Sequence, residues 1–145
     1  MCDNCYSLTS ITFPNTITSI GGNSFQNCYN LSGTINIPEG VTTIGASAFS
    51  MAVYRVTEIV IPSTVTSIGN YAFNTSNTYS PETIPNKIIH VKATTPPTAG
   101  TYIFATIANI ASKVTIYVPA ASVDTYKEAT NWKTYSSIIE AEPTT

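Results

Sequence analysis

An internal repeat constrains the fold of this chain more than any other feature of its sequence. A motif of the form Φ-Pro-x-x-Φ-Thr-x-Ile-Gly, where Φ is apolar, begins at equal intervals at Phe13, Ile37 and Ile61, and a phenylalanine follows each glycine by four residues. Self-similarity with a period of about two dozen residues is the signature of architectures in which each unit stacks on the next. The sequence therefore predicts a β-rich repeat solenoid, because one coil alone buries too little apolar surface to offset its conformational entropy.

Each repeat is predicted to form one coil with two extended segments. Apolar residues alternate before each proline, as at Ile35 and Ile37, and this spacing places them on one face of a strand. The proline ends that strand because it lacks the N–H group that a sheet ladder requires. A second extended segment follows, at 17–20 in the first coil, and then a helical turn that buries the phenylalanine. The repeat glycines are predicted to take positive φ angles at the corner before this turn: Gly21, Gly45 and Gly69.

The repeat becomes irregular after Phe73. The step from Phe73 to Phe104 is longer than the period, and the excess is predicted to form a protruding loop at 74–87, which is rich in turn-forming residues. The chain is thus expected to be one domain with three parts. These are regular coils in 5–73, an irregular coil with the inserted loop in 74–112, and a last strand with a C-terminal cap in 113–145.

The C-terminal segment is predicted to cap the stack. Ser122 is a suitable N-cap for a short helix through Ala129. Apolar side chains in and after this helix are available to cover the last coil: Val123, Tyr126, Trp132 and Tyr135. No such segment precedes the first coil, although solenoids need capped ends. We therefore expect that the chain is the C-terminal part of a longer array, or that its open end pairs with another molecule.

The charge balance argues against polyanionic partners. Only 10% of the residues are charged and the formal net charge is −2, so the field is too weak to gather nucleic acid or anionic lipid. The sequence has no apolar run of the roughly 20 residues that a membrane-spanning helix needs. Residues 1–5 lack the basic and apolar regions of a signal peptide, so an export signal would lie outside this sequence.

Residues suited to catalysis are sparse. His90 is the single histidine, and the two aspartates, Asp3 and Asp124, are separated by most of the chain. A Ser-His-Asp triad is therefore not expected. An acid–base pair of glutamates is not expected either, because the candidates occupy different positions within the coil and do not stack on one face: Glu39, Glu58 and Glu82. We predict that the protein is not an enzyme and needs no cofactor.

The cysteines allow two interpretations. Cys2 and Cys5 form a C-x-x-C motif, which occurs in redox and zinc sites. Cys5 and Cys28, however, occupy the same repeat position, which favours small hydrophobic side chains stacked in the core. A zinc site would need four ligands, and His90 lies several coils from Cys28, so no metal is predicted. A disulfide between Cys5 and Cys28 stays an open alternative.

The repeat motif resembles that of a known family. The string Leu-x-x-Ile-x-Ile/Phe-Pro-x-x-Val/Ile-Thr-x-Ile-Gly-x-x-Ser/Ala-Phe, preceded by cysteine at Cys5 and Cys28, resembles the BspA-like leucine-rich repeat of bacterial surface proteins as far as Phe73. The run 116–127 with Trp132 is similar to the closing segment of such proteins. The resemblance implies a right-handed leucine-rich-repeat solenoid with parallel strands, short helical turns and a C-terminal helical cap. It also implies an extracellular or cell-surface location and a role in adhesion.

The predicted functional feature is a surface rather than a catalytic centre. Residues that alternate with the core ladder project outward from the predicted parallel sheet, and leucine-rich-repeat solenoids commonly present such a sheet to ligands. The candidate ligand-binding residues are Thr12, Asn36, Glu58, Val60, His90 and Tyr117. The alternative is that this face is merely solvated.

Tyrosines provide a second candidate surface. Tyr6, Tyr29 and Tyr54 recur at nearly the period of the repeat, where they either contact sugars or a protein or simply shield the edge of the core. Tyr79 in the predicted loop is a further candidate, because long loops on rigid scaffolds often carry recognition. We therefore predict a non-catalytic binding module for a protein or glycan ligand, or alternatively a structural spacer that self-associates end to end.

Overall fold

Consecutive repeats pair strand to strand in two parallel sheets. The computed structural model describes residues 5–75, 84–104 and 113–144. Within these residues the long sheet has the strand order β2 (Ser32–Asn36), β4 (Arg55–Ile61), β6 (Lys87–Val91), β8 (Val114–Val118) and β9 (Ile139–Ala141). The short sheet has the order β1 (Ser19–Ile20), β3 (Thr43–Ile44), β5 (Ser67–Ile68) and β7 (Thr98–Ala99). Neighbouring strands are parallel in both sheets, as the sequence predicts.

The long sheet buries one face because its apolar residues alternate. Ile35, Ile59, Ile89, Ile116 and Ile139 stand in register across the strands, and each is at most 2% exposed. The residues next to them on each strand point to the opposite face. The predicted alternation of core and outward residues is therefore confirmed.

Phenylalanines stack through the interior of the molecule. The rings of Phe25, Phe49, Phe73 and Phe104 form a column with successive centroid separations of 5.2, 5.3 and 5.5 Å. Phe25 is half-buried, whereas the other three are fully buried. Such contacts between rings stabilise a core beyond the area that they bury. The column continues into Phe104, so the stacking of coils persists through the irregular part of the chain.

The repeat glycines allow neighbouring coils to approach closely, and the prediction of positive φ angles at Gly21, Gly45 and Gly69 is wrong. A Cβ atom on Gly45 would lie 2.3 Å from the backbone nitrogen of Gly22, and one on Gly69 would lie 2.4 Å from that of Ala46. The left-handed residues at this corner come two positions later: Asn23, Ser47, Tyr71 and Tyr102, with φ of 59°, 56°, 57° and 57°. Glycine is therefore required for contact between backbones rather than for the turn itself.

The third side of the coil, the turn side, is a ladder of turns rather than the predicted helical turn. In residues 23–28 and 47–52, successive N–H groups donate alternately to a carbonyl of the next coil and to one three residues earlier. Phe25 N, for example, donates to Ala48 O at 2.8 Å, whereas Gln26 N donates to Asn23 O at 3.2 Å. In a 3-10 helix every N–H group would donate to the carbonyl three residues earlier. Here every second N–H group donates to the next coil instead, so the turn side helps to hold the coils together.

The insertion before Phe104 lies partly outside the described residues. Of the predicted loop at 74–87, residues 76–83 are outside them, and so is Tyr79. The described end of the loop differs from the prediction, since Ile84 is buried and Lys87 begins β6 with its side chain 1% exposed. Lys87 is tolerated there because its ammonium group donates to the carbonyl oxygens of Val53 and Val56.

The predicted C-terminal helix is present. Helix α1 runs over Val123–Glu128, between 3-10 helices at Ala120–Ser122 and Lys133–Ile138. Ser122 stands at the N-cap position but makes no side-chain cap, because its hydroxyl donates to Thr94 O of the preceding coil at 2.8 Å. The serine therefore ties the helix to the stack instead of satisfying the helix terminus.

The aromatic residues of the cap are buried, as predicted. The Tyr126 hydroxyl donates to Ala93 O at 2.7 Å and the Trp132 indole donates to Pro97 O at 2.8 Å. The Tyr135 hydroxyl accepts a hydrogen bond from the backbone N–H of Phe104 at 3.1 Å, and Val123 is half-buried against the core. These bonds orient the cap on the last coil while its rings cover the phenylalanine column.

After the cap the chain returns to the long sheet, which the sequence prediction missed. Strand β9 pairs in parallel with β8 and places Ile139 opposite Ile116 and Glu140 opposite Tyr117. The prediction that the last strand precedes the cap is therefore wrong. A strand of three residues gives only a weak alternation in the sequence, and the edge of β8 supplies the pairing that defines it.

Candidate functional site

The outward side chains of the long sheet form two rows, which we call the outer face. Strand register places Thr34, Glu58, Ile88 and Thr115 in the first row and Asn36, Val60, His90 and Tyr117 in the second. All of them are half-buried or exposed. The structure thus brings together five of the six predicted residues, and Thr12 is exposed before the first strand of this sheet.

A hydrogen-bonded cluster centred on His90, the His90 cluster, joins the two rows. Nε2 of His90 lies 3.2 Å from Oε1 of Glu58, and Nδ1 lies 2.8 and 2.9 Å from the carboxylate oxygens of Glu142. The Thr34 hydroxyl donates to Oε2 of Glu58 at 2.9 Å. The Tyr117 ring packs beside the imidazole with its centroid 5.7 Å away. These contacts hold several polar side chains in defined positions on the outer face.

The cluster presents acceptors to the solvent. An ionised carboxylate only accepts hydrogen bonds, so both contacts of His90 are satisfied when both ring nitrogens carry a proton. The His90 side chain is 19% exposed, whereas those of Glu58 and Glu142 are 40% and 44% exposed. The accessible carboxylates are therefore available to accept hydrogen bonds from hydroxyl or amide groups of a ligand.

A groove adjoins the second row of the outer face. Its volume is about 750 Å³, and its lining residues are Ile11, Thr12, Phe13, Asn15, Asn36, Ile37, Pro38, Glu39, Val60, Pro62 and Lys92. Three predicted residues, Thr12, Asn36 and Val60, thus share one groove. Both Glu39 and Lys92 are exposed, so groups of opposite charge line it. The exposed lining of the groove is more polar than apolar, which favours a ligand that carries hydrogen-bonding groups.

Sequence reasoning missed three residues of this region. Glu142 was not considered, and the repeat period cannot relate it to His90 because the cap lies between them. The available signal was the Ile-Glu-Ala-Glu run at 139–142, whose alternation is that of a strand with outward glutamates. Glu39 was weighed only for catalysis, and Lys92 was not singled out. The structure gives Glu39 a different role, since its carboxylate oxygens lie 3.4 and 3.2 Å from the N–H and hydroxyl of Ser63.

The tyrosines of the second candidate surface are only partly brought together. The rings of Tyr6 and Tyr29 stack with centroids 5.7 Å apart and an interplanar angle of 6°. The Tyr29 hydroxyl donates to Oδ1 of Asn27 at 3.1 Å. Tyr54 is half-buried. Contact with a ligand through these tyrosines stays a prediction.

Among the described residues, Lys87 is the lysine that is buried in a core ladder. Its contacts are structural and do not indicate a ligand site. Lys87 stands opposite Val114 in the long sheet and is buried like it. Loss of hydration lowers the pKa of Lys87 to about 8. Its two backbone acceptors satisfy the ammonium group, so the lysine ties β6 to the coil before it.

The cysteines are core residues in the described part of the chain. Cys28 is fully buried, and Cys5 is half-buried and packs against the core, as the hydrophobic interpretation predicts. Cys2 lies outside the described residues. Among those residues no group of three or more His, Cys, Asp or Glu side chains is arranged to hold a metal ion.

The stacked repeats match a family model. The model for the BspA type leucine rich repeat region matches six copies over residues 1–116. The chain belongs to the BspA-type leucine-rich repeat family. Repeats of this family are often parts of surface proteins and are generally non-catalytic. No curated protein matches the chain. In the described ranges, no helix of this BspA-type protein is both long and apolar enough to cross a membrane.

Proposed function

We propose that this BspA-type chain is a non-catalytic binding module of a cell-surface or secreted protein, and that it recognises a protein or glycan ligand through the outer face. The observation that carries the proposal is the continuity between the groove and the His90 cluster. Val60 lines the groove and pairs in register with His90, so a ligand that extends from the groove along the second row reaches the cluster. Family membership supports the surface location and the absence of catalysis.

The rigidity of the outer face favours recognition. Parallel ladders hold β4, β6 and β8 on both sides and β2 on one side. The family resemblance implies that the coils stack as a right-handed solenoid. Binding to such a surface orders few additional side chains, so less of the interaction energy is lost as entropy. The mixture of carboxylate, amide, hydroxyl and aromatic groups suits a ligand that has both hydrogen-bond donors and apolar patches.

A second candidate function is end-to-end association. Apolar side chains of the first coil pack on the core but are only half-buried: Leu8, Ile11, Phe13, Ile17 and Phe25. A further coil stacked on this end would bury them and extend the phenylalanine column. This interpretation makes the chain a spacer or a self-associating repeat segment.

The test is a screen of glycan and host-protein arrays with the unmodified chain and two variants. One variant carries Glu58→Ala, His90→Ala and Tyr117→Ala, and the other carries Thr12→Ala and Asn36→Ala. We expect a ligand whose affinity falls at least about tenfold, or about 1.4 kcal/mol, in both variants. The matched control is Ser136→Ala, an exposed substitution in the cap.

Thermal unfolding of each variant separates loss of the binding surface from loss of the fold. A ligand that binds all the variants equally well would contradict the outer face as the binding surface. Absence of any ligand, together with association that increases with protein concentration, would instead support the second candidate function.

A further inference from the structure

Two exposed tyrosines stack on the turn side of the coils, away from the strands of the outer face. Tyr71 and Tyr102 are 42% and 58% exposed, and their ring centroids lie 5.5 Å apart with an interplanar angle of 23°. Each follows a repeat glycine by two residues, as part of Gly69-Asn-Tyr and Gly100-Thr-Tyr. Neither tyrosine belongs to the candidate surfaces predicted from the sequence.

Neither backbone geometry nor core packing explains tyrosine at these positions. Both residues have φ of 57°, in the left-handed region, where bulky side chains are disfavoured and asparagine is tolerated. The equivalent residues of the preceding coils are Asn23 and Ser47, which have nearly the same φ angles. The tyrosine rings are not part of the core and stack on each other, so they form an exposed aromatic platform.

The tyrosines are held on a rigid frame. Tyr71 N donates to Thr101 O at 3.0 Å, and Thr101 N donates to Oδ1 of Asn70 at 2.8 Å. Ser47 N in turn donates to Asn70 O at 2.8 Å. The order of these bonds places position 47 beside position 71 and position 71 beside position 102 along the stack.

This order shows which residues lie on either side of Tyr71 along the stack. Tyr102 stacks on one face of the ring, and the order of the turns places the small Ser47, and then Asn23, on the other side of Tyr71. Adjacent coils are about 4.8 Å apart, so two steps separate Tyr71 from Asn23 by about 10 Å. That distance accommodates one further ring stacked on Tyr71 above Ser47. We call this space, between Tyr71 and Asn23, the slot.

The surroundings of this slot are polar and uncharged. The turn segments 21–26, 45–50, 69–74 and 100–104 contain no Lys, Arg, Asp or Glu, whereas they contain Asn, Ser, Thr and Gln. Such a surface offers hydrogen bonds without a charge that would select an ion. Aromatic side chains that combine an apolar face with polar surroundings are typical of recognition surfaces.

We propose that the slot between Tyr71 and Asn23 binds one sugar ring of a neutral oligosaccharide. The apolar C–H face of the sugar stacks on the open face of Tyr71. The amide of Asn23 and the hydroxyl of Ser47 form hydrogen bonds with the sugar hydroxyls. This site is separate from the outer face, so it stands or falls independently of the function proposed above.

The test is isothermal titration calorimetry with cellohexaose, maltohexaose and mannohexaose, using the full chain and three variants. Tyr71→Asn removes the platform and installs the residue that the first coil has at this position, so the variant is expected to fold. Ser47→Tyr fills the slot with a side chain that the next coils tolerate. Thr134→Ala in the cap is the matched control.

We expect at least one of the oligosaccharides to bind, with affinity reduced at least about tenfold by Tyr71→Asn and by Ser47→Tyr and unchanged by Thr134→Ala. Absence of binding by all three probes would overturn the proposal. So would binding that survives Ser47→Tyr, because the sugar would then contact the outer edges of the rings and not the slot. A proline-rich peptide that binds through Tyr71 when no sugar does would also overturn it, in favour of peptide recognition.

Discussion

Single residues set how closely the coils of this stack approach one another. Gly45 and Gly69, which end the second and third motifs, have almost no space for a side chain, because the backbone of the preceding coil lies against them. The positive φ angle expected at the glycine occurs two residues later, at Asn23 and its equivalents. Packing between coils, and not the local turn, therefore accounts for the glycine.

This difference leads to a prediction about two glycine substitutions. Gly69→Ala is expected to lower the free energy of unfolding by about 3 kcal/mol or more, since its Cβ would lie 2.4 Å from the Ala46 nitrogen and coils would have to separate. Gly33→Ala is the matched control. Gly33 has φ of +74° and no atom within 4 Å of the place that an added Cβ would take, so only backbone strain of about 1 kcal/mol is expected.

Urea unfolding of the two variants measures this difference. Equal losses of stability in Gly69→Ala and Gly33→Ala would show that the φ angle, and not the contact between coils, governs these glycines.

Among the elements, the cap combines predictable and unpredictable features. Its aromatic residues were evident in the sequence because large apolar side chains must be buried at the end of an array. Its return to the long sheet was not evident, because β9 is short and depends on the edge that β8 provides. Glu142 reaches His90 only through that return, so an element at the end of the chain completes the His90 cluster.

The hydrogen bonds of the cap lead to a second prediction. Trp132→Phe removes the donor to Pro97 O and leaves a buried acceptor and some empty volume, so a loss of about 2–3 kcal/mol is expected. Hydrogen exchange should accelerate in α1 and β9 more than in β2, because β2 lies at the opposite end of the long sheet. Thr125→Ala, an exposed change in α1, serves as the control. Uniform acceleration throughout the chain would indicate that the cap unfolds only together with the whole stack.

For the whole molecule, buried ionisable groups determine how stability depends on pH. The pKa of Lys87 falls from 10.5 to about 8 through loss of hydration on burial, so below this value folding buries a charged ammonium group. Burial raises the pKa values of Tyr126 and Tyr135 above the ordinary value of 10.0. Lys87 and the two tyrosines therefore change the free energy of unfolding over adjacent ranges of pH and in opposite directions.

The free energy of unfolding is expected to rise by about 2 kcal/mol between about pH 8 and pH 10, because there the unfolded state binds the Lys87 proton and the folded state does not. Above about pH 10 it should fall, because the tyrosines ionise in the unfolded state first. Urea unfolding across this range tests both signs. Lys87→Met should remove the rise and leave the fall, and a rise that persists in this variant would assign it to another group.

Features that recur with the period of the repeat could be predicted from the amino-acid sequence. Stacked coils, parallel strands, the core ladder of Ile35 and its equivalents, and the outward direction of Asn36, Val60, His90 and Tyr117 all follow from alternation within a repeated unit. The prediction succeeds because each residue has the same neighbours in successive coils, so local pattern and tertiary contact agree.

Contacts between residues that occupy different positions of the repeat, or that are separated by the insertion, depend on the three-dimensional packing. The contacts of His90 with Glu142, the groove shared by Thr12 and Lys92, and the buried ammonium group of Lys87 involve coils whose spacing is interrupted by the insertion or by the cap. The stack of Tyr71 on Tyr102 joins residues at the same position of the repeat, but the insertion between them lengthens the step along the chain. Such contacts are set by how neighbouring coils pack against each other, and no spacing along the chain encodes them.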